Sequence, residues 1–247
     1  KTAVGLMSAA QLGGQHAATA ASIITLVTTD DTTQAIKAAR DSVSILSGPY
    51  HRQVAQLYVL LFNRAPDASG LQHWVESLQK GQTLSQVAQA MFDSEPARTY
   101  YPAGMSKEAI VSTFYHAALG REPEPDALLY WSKRLGSGLP NALGTTAVAL
   151  IDSVTGYLGD DPAAQTSQRL FHNKVTVGLT YADGLGGNDL ATASALIAQT
   201  TAFDTTAALT AAFAAPGAHN HLRIAQLYLL LFNRAPDADG FQYWNDR

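Results

Sequence analysis

The chain contains almost the same sequence twice, 170 positions apart. Residues 54–74 read VAQLYVLLFNRAPDASGLQHW and residues 224–244 read IAQLYLLLFNRAPDADGFQYW, so the two stretches differ at 5 of 21 positions. A third and more divergent copy, FYHAALGREPEPDALLYW, occupies residues 114–131. In every copy an arginine precedes a tryptophan by ten residues. Such fixed-period self-similarity is typical of repeat arrays, in which each supersecondary unit buries its apolar face against its neighbours.

A second repeated sequence lies upstream of the motif copies. The stretch KTAVGLMSAAQLGG, which begins at Lys1, resembles KVTVGLTYADGLGG, which begins at Lys174. The chain is therefore interpreted as one unit of roughly 170 residues followed by the start of a second. We predict five parts in chain order: a divergent helical segment at 1–50, a motif copy at 51–107, a degenerate copy at 108–165, a second divergent helical segment at 166–220, and a truncated copy at 221–247.

Each motif copy opens with a pattern that predicts an amphipathic helix. Apolar residues recur at i, i+3, i+4 and i+7, which in the first copy are Val54, Leu57, Tyr58 and Leu61. The slot that follows holds Asn63, Gly120 or Asn233. Asparagine and glycine best tolerate the left-handed conformation that ends a helix, so we predict a C-terminal cap at this slot.

A second and a third helix follow in the same pattern. A proline two residues before the second helix prevents the first helix from continuing. The next residue is an acid in every copy (Asp67, Glu124 or Asp237), and it faces the positive, N-terminal end of the second helix dipole. Aspartate can also cap directly, which glutamate does less well. Gly70 is replaced by alanine in the second copy, so we expect that a small residue is needed at this position and that its φ is not positive. The TLSQ sequence at 83–86 predicts a capping box. These signals predict an all-α fold of tandem short-helix modules, about three helices per copy, with divergent helical spacers.

The recurrent arginine and tryptophan admit two interpretations. The favoured one is structural: the arginine pairs with the nearby acid or bonds carbonyls at the helix end, and the tryptophan anchors the core. The alternative is a glycan-binding surface, in which arginine binds a phosphate or sugar acid and tryptophan stacks on a sugar ring. The candidate residues are Arg64, Trp74, Arg121, Trp131, Arg234 and Trp244.

Composition and motifs argue against several functions. The net charge of −4 does not suit a nucleic-acid partner, and no apolar run is long enough to insert into a bilayer. The chain has no cysteine and none of the common hydrolase, zinc-protease or phosphate-loop motifs, so we do not expect an enzyme. Asp183 and Asp189 flank a glycine-rich loop that suggests calcium, but the loop offers too few carboxylates for that ion. We expect no cofactor here, and calcium only elsewhere in a longer protein.

The stretch from Leu57 to Arg98 resembles the bacterial family called domain of unknown function 4214. The shared pattern is an aromatic-rich helix, then Arg-x-Pro-Asp-x-x-Gly-Leu-x-x-Trp, then a third helix ending near Ser-Glu. Similar members are mostly parts of large exported proteins: surface-layer proteins, adhesins and repeat-rich proteins of type I secretion. The resemblance implies a helical module for attachment or assembly and brings no catalytic residues.

These observations lead to two functional hypotheses. The first is a non-enzymatic anchoring and assembly module at the bacterial cell surface, which binds lipopolysaccharide, its O-polysaccharide or another surface glycan, and which self-associates. The second is an accessory targeting or spacer domain of a larger secreted enzyme. We expect an extracellular location in either case.

Overall fold

The computed structural model describes residues 48–215, and this part of the chain contains helices and no β-strand. The predicted all-α class is therefore confirmed. The nine α-helices of the described range are α1 (Pro49–Phe62), α2 (Ala68–Gln79), α3 (Leu84–Asp93), α4 (Lys107–Leu119), α5 (Pro125–Leu135), α6 (Ala142–Thr155), α7 (Pro162–Leu179), α8 (Leu190–Gln199) and α9 (Thr206–Ala214). A 3₁₀ helix, Glu95–Thr99, follows α3, and a π-helical turn, Thr180–Gly184, continues α7.

The first and second motif copies fold into the same three-helix sequence, α1–α3 and α4–α6. Helix α1 ends at Asn63 with a φ of 46°, and α4 ends at Gly120 with a φ of 67°. Both residues have the left-handed conformation predicted from their exchange at one slot. Thr83 and Gln86 form the predicted capping box at the start of α3. The local signals of the motif therefore determine where its helices begin and end.

Helix α1 lies at the centre of the core and is enclosed by α2, α4, α6 and α7. Most of its residues from the second turn onward are fully buried, including Val54, Leu57, Leu60 and Leu61. The two copies also meet through their third helices, because α3 packs closely on α6. Gly144 of α6 faces the backbone of α3, where a Cβ atom would overlap the carbonyl oxygen of Ser85. A side chain at position 144 would therefore hold the two helices apart.

The second divergent segment packs onto the first motif copy. Helix α7 lies against α1 and α4, and the loop after the π-helical turn covers the start of α2. The carbonyl of Gly187 accepts a hydrogen bond from the Ala68 N–H at 2.8 Å, and the Asn188 side chain accepts one from the Ser69 N–H at 3.1 Å. The first N–H groups of a helix have no acceptor within the helix. Here two of them donate to residues that lie 119 positions later in the sequence.

One buried lysine ties α7 to both motif copies. The Lys174 ammonium donates to the Asn63 side-chain oxygen at 2.9 Å and to the carbonyl of Ala117 at 2.7 Å. Asn63 caps α1 and Ala117 lies in the last turn of α4, so the cation sits at the negative ends of two helix dipoles. Burial nevertheless lowers the pKa of Lys174 to about 8.

The remaining predicted segments lie outside the described residues. These are 1–47 and 216–247, which include the third motif copy with Arg234 and Trp244. The five predicted part boundaries stay predictions. Between residues 48 and 215, no helix is both long and apolar enough to cross a lipid bilayer.

Candidate functional site

The first motif copy carries a groove beside the end of α1. The groove has a volume of about 560 Å³ and lies between α1, α2, the 3₁₀ helix and the start of α8. Three sequence-separated parts of the chain therefore form its walls. Its lining includes Tyr58, Phe62, Arg64, Asp67, Ser69, His73, Trp74, Tyr100, Asn188 and Leu190. Two of the predicted candidates, Arg64 and Trp74, are thus brought together at one surface.

Arg64 is buried and already bonded. Its Nη1 donates to the carbonyl of Ala65 at 3.0 Å and to the carboxylate of Asp67 at 3.2 Å. The guanidinium carbon lies 4.8 Å from the centre of the Tyr58 ring, which is a cation–π distance. The structural pairing predicted for this arginine is confirmed. Its positive charge is balanced within the motif by Asp67.

Asp67 organises the turn between α1 and α2. Its Oδ1 accepts a hydrogen bond from the Gly70 N–H at 2.7 Å, which caps α2 as predicted. Burial opposes ionisation of this carboxyl, but bonds from Gly70, Ser69 and Arg64 outweigh burial and lower its pKa. Glu124 occupies the same slot in the second copy and makes no capping bond, in keeping with the poorer capping expected of glutamate.

Aromatic side chains form the apolar wall of the groove. Tyr58 is buried, which together with the nearby Asp67 charge raises its pKa to about 12. A Cβ at position 70 would overlap the Tyr58 hydroxyl, so Gly70 serves smallness as predicted. Trp74 is only partly buried, and its ring lies 4.7 Å from that of His73. The groove therefore presents half-exposed aromatic surface next to polar groups.

The second motif copy has a smaller groove at the equivalent place, with a volume of about 160 Å³. Tyr115, Arg121 and Trp131 line it in the positions of Tyr58, Arg64 and Trp74. The indole N–H of Trp131 donates to the Tyr115 hydroxyl at 3.1 Å, and Trp131 is only 8% exposed. Arg121 pairs with Glu124. Trp131 is thus a core anchor, whereas the tryptophan of the first copy remains partly accessible.

The motif matches a known family model. The model described as "Domain of unknown function (DUF4214)" matches residues 50–100 and 88–143, which is less than half of the chain. We call residues 50–143, which the two matches span, the DUF4214 region. The two matches overlap across the end of α3 and the 3₁₀ helix. Comparison with curated proteins and with solved structures gave no significant match.

The two aspartates that flank the glycine-rich loop, next to the DUF4214 region, make contacts that the sequence did not predict. Asp189, one of the two calcium candidates, accepts a hydrogen bond from the Thr192 N–H at 2.7 Å and caps α8. The other, Asp183, lies 3.8 Å from the Nε2 atom of His51. Within residues 48–215, no group of three or more His, Cys, Asp or Glu residues is placed to hold a metal ion.

Removing the Asp67 cap is expected to destabilise the DUF4214 region. We expect Asp67→Ala to lower the free energy of unfolding by about 1 kcal/mol, because the N-cap bond and the partner of Arg64 are both lost. Since the folded pKa of Asp67 is lowered, its contribution is present above the ordinary carboxyl range and is lost as the pH falls through the folded value. The difference between wild type and variant should therefore shrink in acid.

Urea unfolding of both proteins at several pH values measures this difference. Glu124→Ala is the matched control, and it should cost less than about 0.5 kcal/mol because Glu124 makes no capping bond and its ion pair is exposed. Equal costs for the two variants would contradict the capping role.

Proposed function

We propose that the DUF4214 region is a non-enzymatic module for attachment and assembly at a bacterial cell surface, and that its first motif copy binds a surface glycan. The groove around Trp74 carries this proposal. Carbohydrate sites pair an aromatic face, on which the apolar C–H face of a sugar stacks, with a few fixed polar groups. The groove supplies both, with Trp74 and Tyr100 as aromatic surface and Ser69, His73 and Asn188 as polar groups.

The electrostatics of the groove favour an uncharged sugar over a sugar acid or a phosphate. Arg64 is the arginine of the lining, and Asp67 already neutralises it at 3.2 Å. A second anion at Arg64 would have to compete with a carboxylate held by three hydrogen-bond donors. We therefore assign recognition to Trp74 and its polar neighbours, and a positioning role to Arg64. The neutral hexoses of an O-polysaccharide fit this chemistry.

Trp74→Ala is expected to weaken glycan binding about tenfold or more, since one buried aromatic contact at a binding site is worth roughly 2 kcal/mol. The measurement is co-sedimentation of the chain with outer-membrane vesicles of its own source, prepared with and without O-polysaccharide. Tyr130→Ala is the matched control, because Tyr130 is a 57% exposed aromatic that does not line the groove. Wild type and control should bind only vesicles that carry the polysaccharide.

Two results would contradict the proposal. Equal binding by wild type and the Trp74 variant would remove the groove from the recognition surface. Absence of binding to either kind of vesicle would remove the anchoring function itself and favour a spacer or targeting domain of a larger secreted enzyme. Circular dichroism of each variant checks that the helices are retained.

A further inference from the structure

One face of helix α5 is exposed and apolar at its centre. Leu129 and Tyr130, in the middle of Pro125–Leu135, are 55% and 57% exposed. The centre of the Tyr130 ring lies 4.9 Å from that of the buried Trp131, and this contact fixes the position of the exposed ring. Single exposed apolar side chains are common on protein surfaces, but neighbouring ones form a patch that is typical of a contact surface.

Charges of opposite sign lie on the two sides of this patch. Asp126 precedes Leu129 by three positions, and Lys133 follows Tyr130 by three positions. Residues three and four apart share one face of a helix, so the four exposed side chains form one line, which we call the α5 stripe. Neither Asp126 nor Lys133 forms an ion pair within the part of the chain that the structure describes. Both charges are therefore available to a partner.

The equivalent helix of the first motif copy has no such stripe. The corresponding positions of α2 hold polar residues, which are Ser69, Gln72, His73 and Glu76. The Gln72 side chain donates to the Glu76 carboxylate at 3.0 Å, so these two groups are partnered within their own helix. Both helices nevertheless keep the leucine and the tryptophan of the motif, which are Leu128 and Trp131 in α5. The α5 stripe is therefore additional to what the motif needs in order to fold.

The order of residues along the α5 stripe makes it complementary to an inverted copy of itself. When two antiparallel α5 helices are related by a two-fold axis between positions 129 and 130, Asp126 faces Lys133 of the second copy, and Leu129 faces Tyr130 of the second copy. We propose that two copies of this chain associate through the α5 stripe into such a symmetric dimer. The pairing places the apolar side chains between two ion pairs. A parallel pairing would instead place like charges together.

This dimer gives the assembly part of the proposed function a defined contact. It does not depend on glycan binding, because each chain carries its own groove around Trp74. A monomeric variant therefore keeps the glycan contact, and the two proposals can fail separately. The 11 residues of α5 span only about 16 Å, which is short for a stable interface. We expect a dissociation constant on the order of 100 µM.

Sedimentation velocity of the 247-residue chain, from about 10 µM to about 1 mM, tests the proposal. Wild type should change from monomer to dimer over this range and form nothing larger. Asp126→Lys and Lys133→Glu each place like charges at both ion pairs of the symmetric contact. Each variant alone should therefore weaken dimerisation about tenfold or more.

Mixing the two variants separates a lost contact from a lost fold. One chain then presents two lysines on its α5 stripe and the other presents two acids, so both ion pairs are restored with their signs exchanged. The equal mixture should form a heterodimer within about threefold of the wild-type affinity.

Glu95→Lys is the matched control, because it makes the same change in net charge as Asp126→Lys at an exposed position of the 3₁₀ helix. It should dimerise as wild type does. A wild type that stays monomeric at all concentrations would overturn the inference. Dimers that both stripe variants leave unchanged, or a mixture that does not dimerise, would do the same.

Discussion

Gly144→Val is expected to lower the free energy of unfolding by about 3 kcal/mol, because added volume at a tightly packed site costs this much. Gly144 faces α3 so closely that even a Cβ atom would overlap the Ser85 carbonyl and press on the Gln89 N–H. Both are backbone atoms of a helix and cannot move aside as a flexible side chain would. The helices that join the two motif copies must therefore separate.

Gly144→Ala is a second test of this packing, because close packing and helix propensity predict opposite changes in the free energy of unfolding. In an exposed helix interior the change from glycine to alanine stabilises by about 1 kcal/mol. Here we expect destabilisation, measured by urea unfolding of the full chain. Ser153→Ala, at an exposed site on the same helix, is the control and should be neutral or slightly stabilising. If the alanine variant at 144 were more stable than wild type, the close packing of α3 on α6 would be wrong.

Lys174→Met is expected to lower the free energy of unfolding by about 2 kcal/mol at neutral pH. Methionine retains much of the buried stem but leaves the oxygen of Asn63 and the carbonyl of Ala117 without their donor. A buried acceptor deprived of its partner costs roughly 1–3 kcal/mol. Lys80→Met provides the control, because Lys80 is exposed and pairs with Glu76 only at the surface. That control should stay within about 0.5 kcal/mol of wild type.

The pH dependence of the Lys174 variant has a definite sign. Burial lowers the pKa of Lys174 from 10.5 to about 8, so between these values the unfolded chain binds more protons than the folded one. Stability contributed by this residue therefore rises as the pH increases from about 8 to 10.5. The gap in unfolding free energy between wild type and Lys174→Met should widen over this range. A gap that narrows there would show that the charged form is the one the fold favours.

Local chemistry made much of the motif predictable. The exchange of Asn63 with Gly120 predicted both left-handed caps, and the replacement of Gly70 by alanine predicted that it serves smallness. The capping roles of Asp67 and Thr83 followed from their spacing to the next helix. All of these contacts join residues no more than 12 positions apart in the chain. Self-comparison of the repeats and the spacing of capping residues therefore sufficed to find them.

Long-range contacts were not predictable in the same way. In the sequence, Lys174 is recognisable only as the first residue of a repeated stretch. Its hydrogen bonds were not predictable, because its two partners lie 111 and 57 positions away. The glycine-rich loop has too few carboxylates for calcium, and its sequence did not show that the Gly187 carbonyl and the Asn188 side chain accept from N–H groups at the start of α2. Trp74 and Trp131 occupy one slot but differ in exposure, because Trp131 is buried and Trp74 is only partly buried. An alignment of copies shows which residues recur, but the neighbours that cover each copy depend on the whole fold.

Residues 174–193, which begin the second sequence period, pack on residues 63–69 of the first, and this contact has a consequence for how such a protein changes in length. Because this contact spans two sequence periods, a cut at a period boundary separates residues that belong to one packed structure. Gain or loss of one whole period leaves each remaining copy of residues 174–193 downstream of a matching copy of residues 63–69. Gain or loss of a partial period shifts or removes the segment that contains Gly187, so the start of α2 loses the carbonyl that accepts from the Ala68 N–H. Arrays of this kind are therefore expected to lengthen and shorten by complete periods.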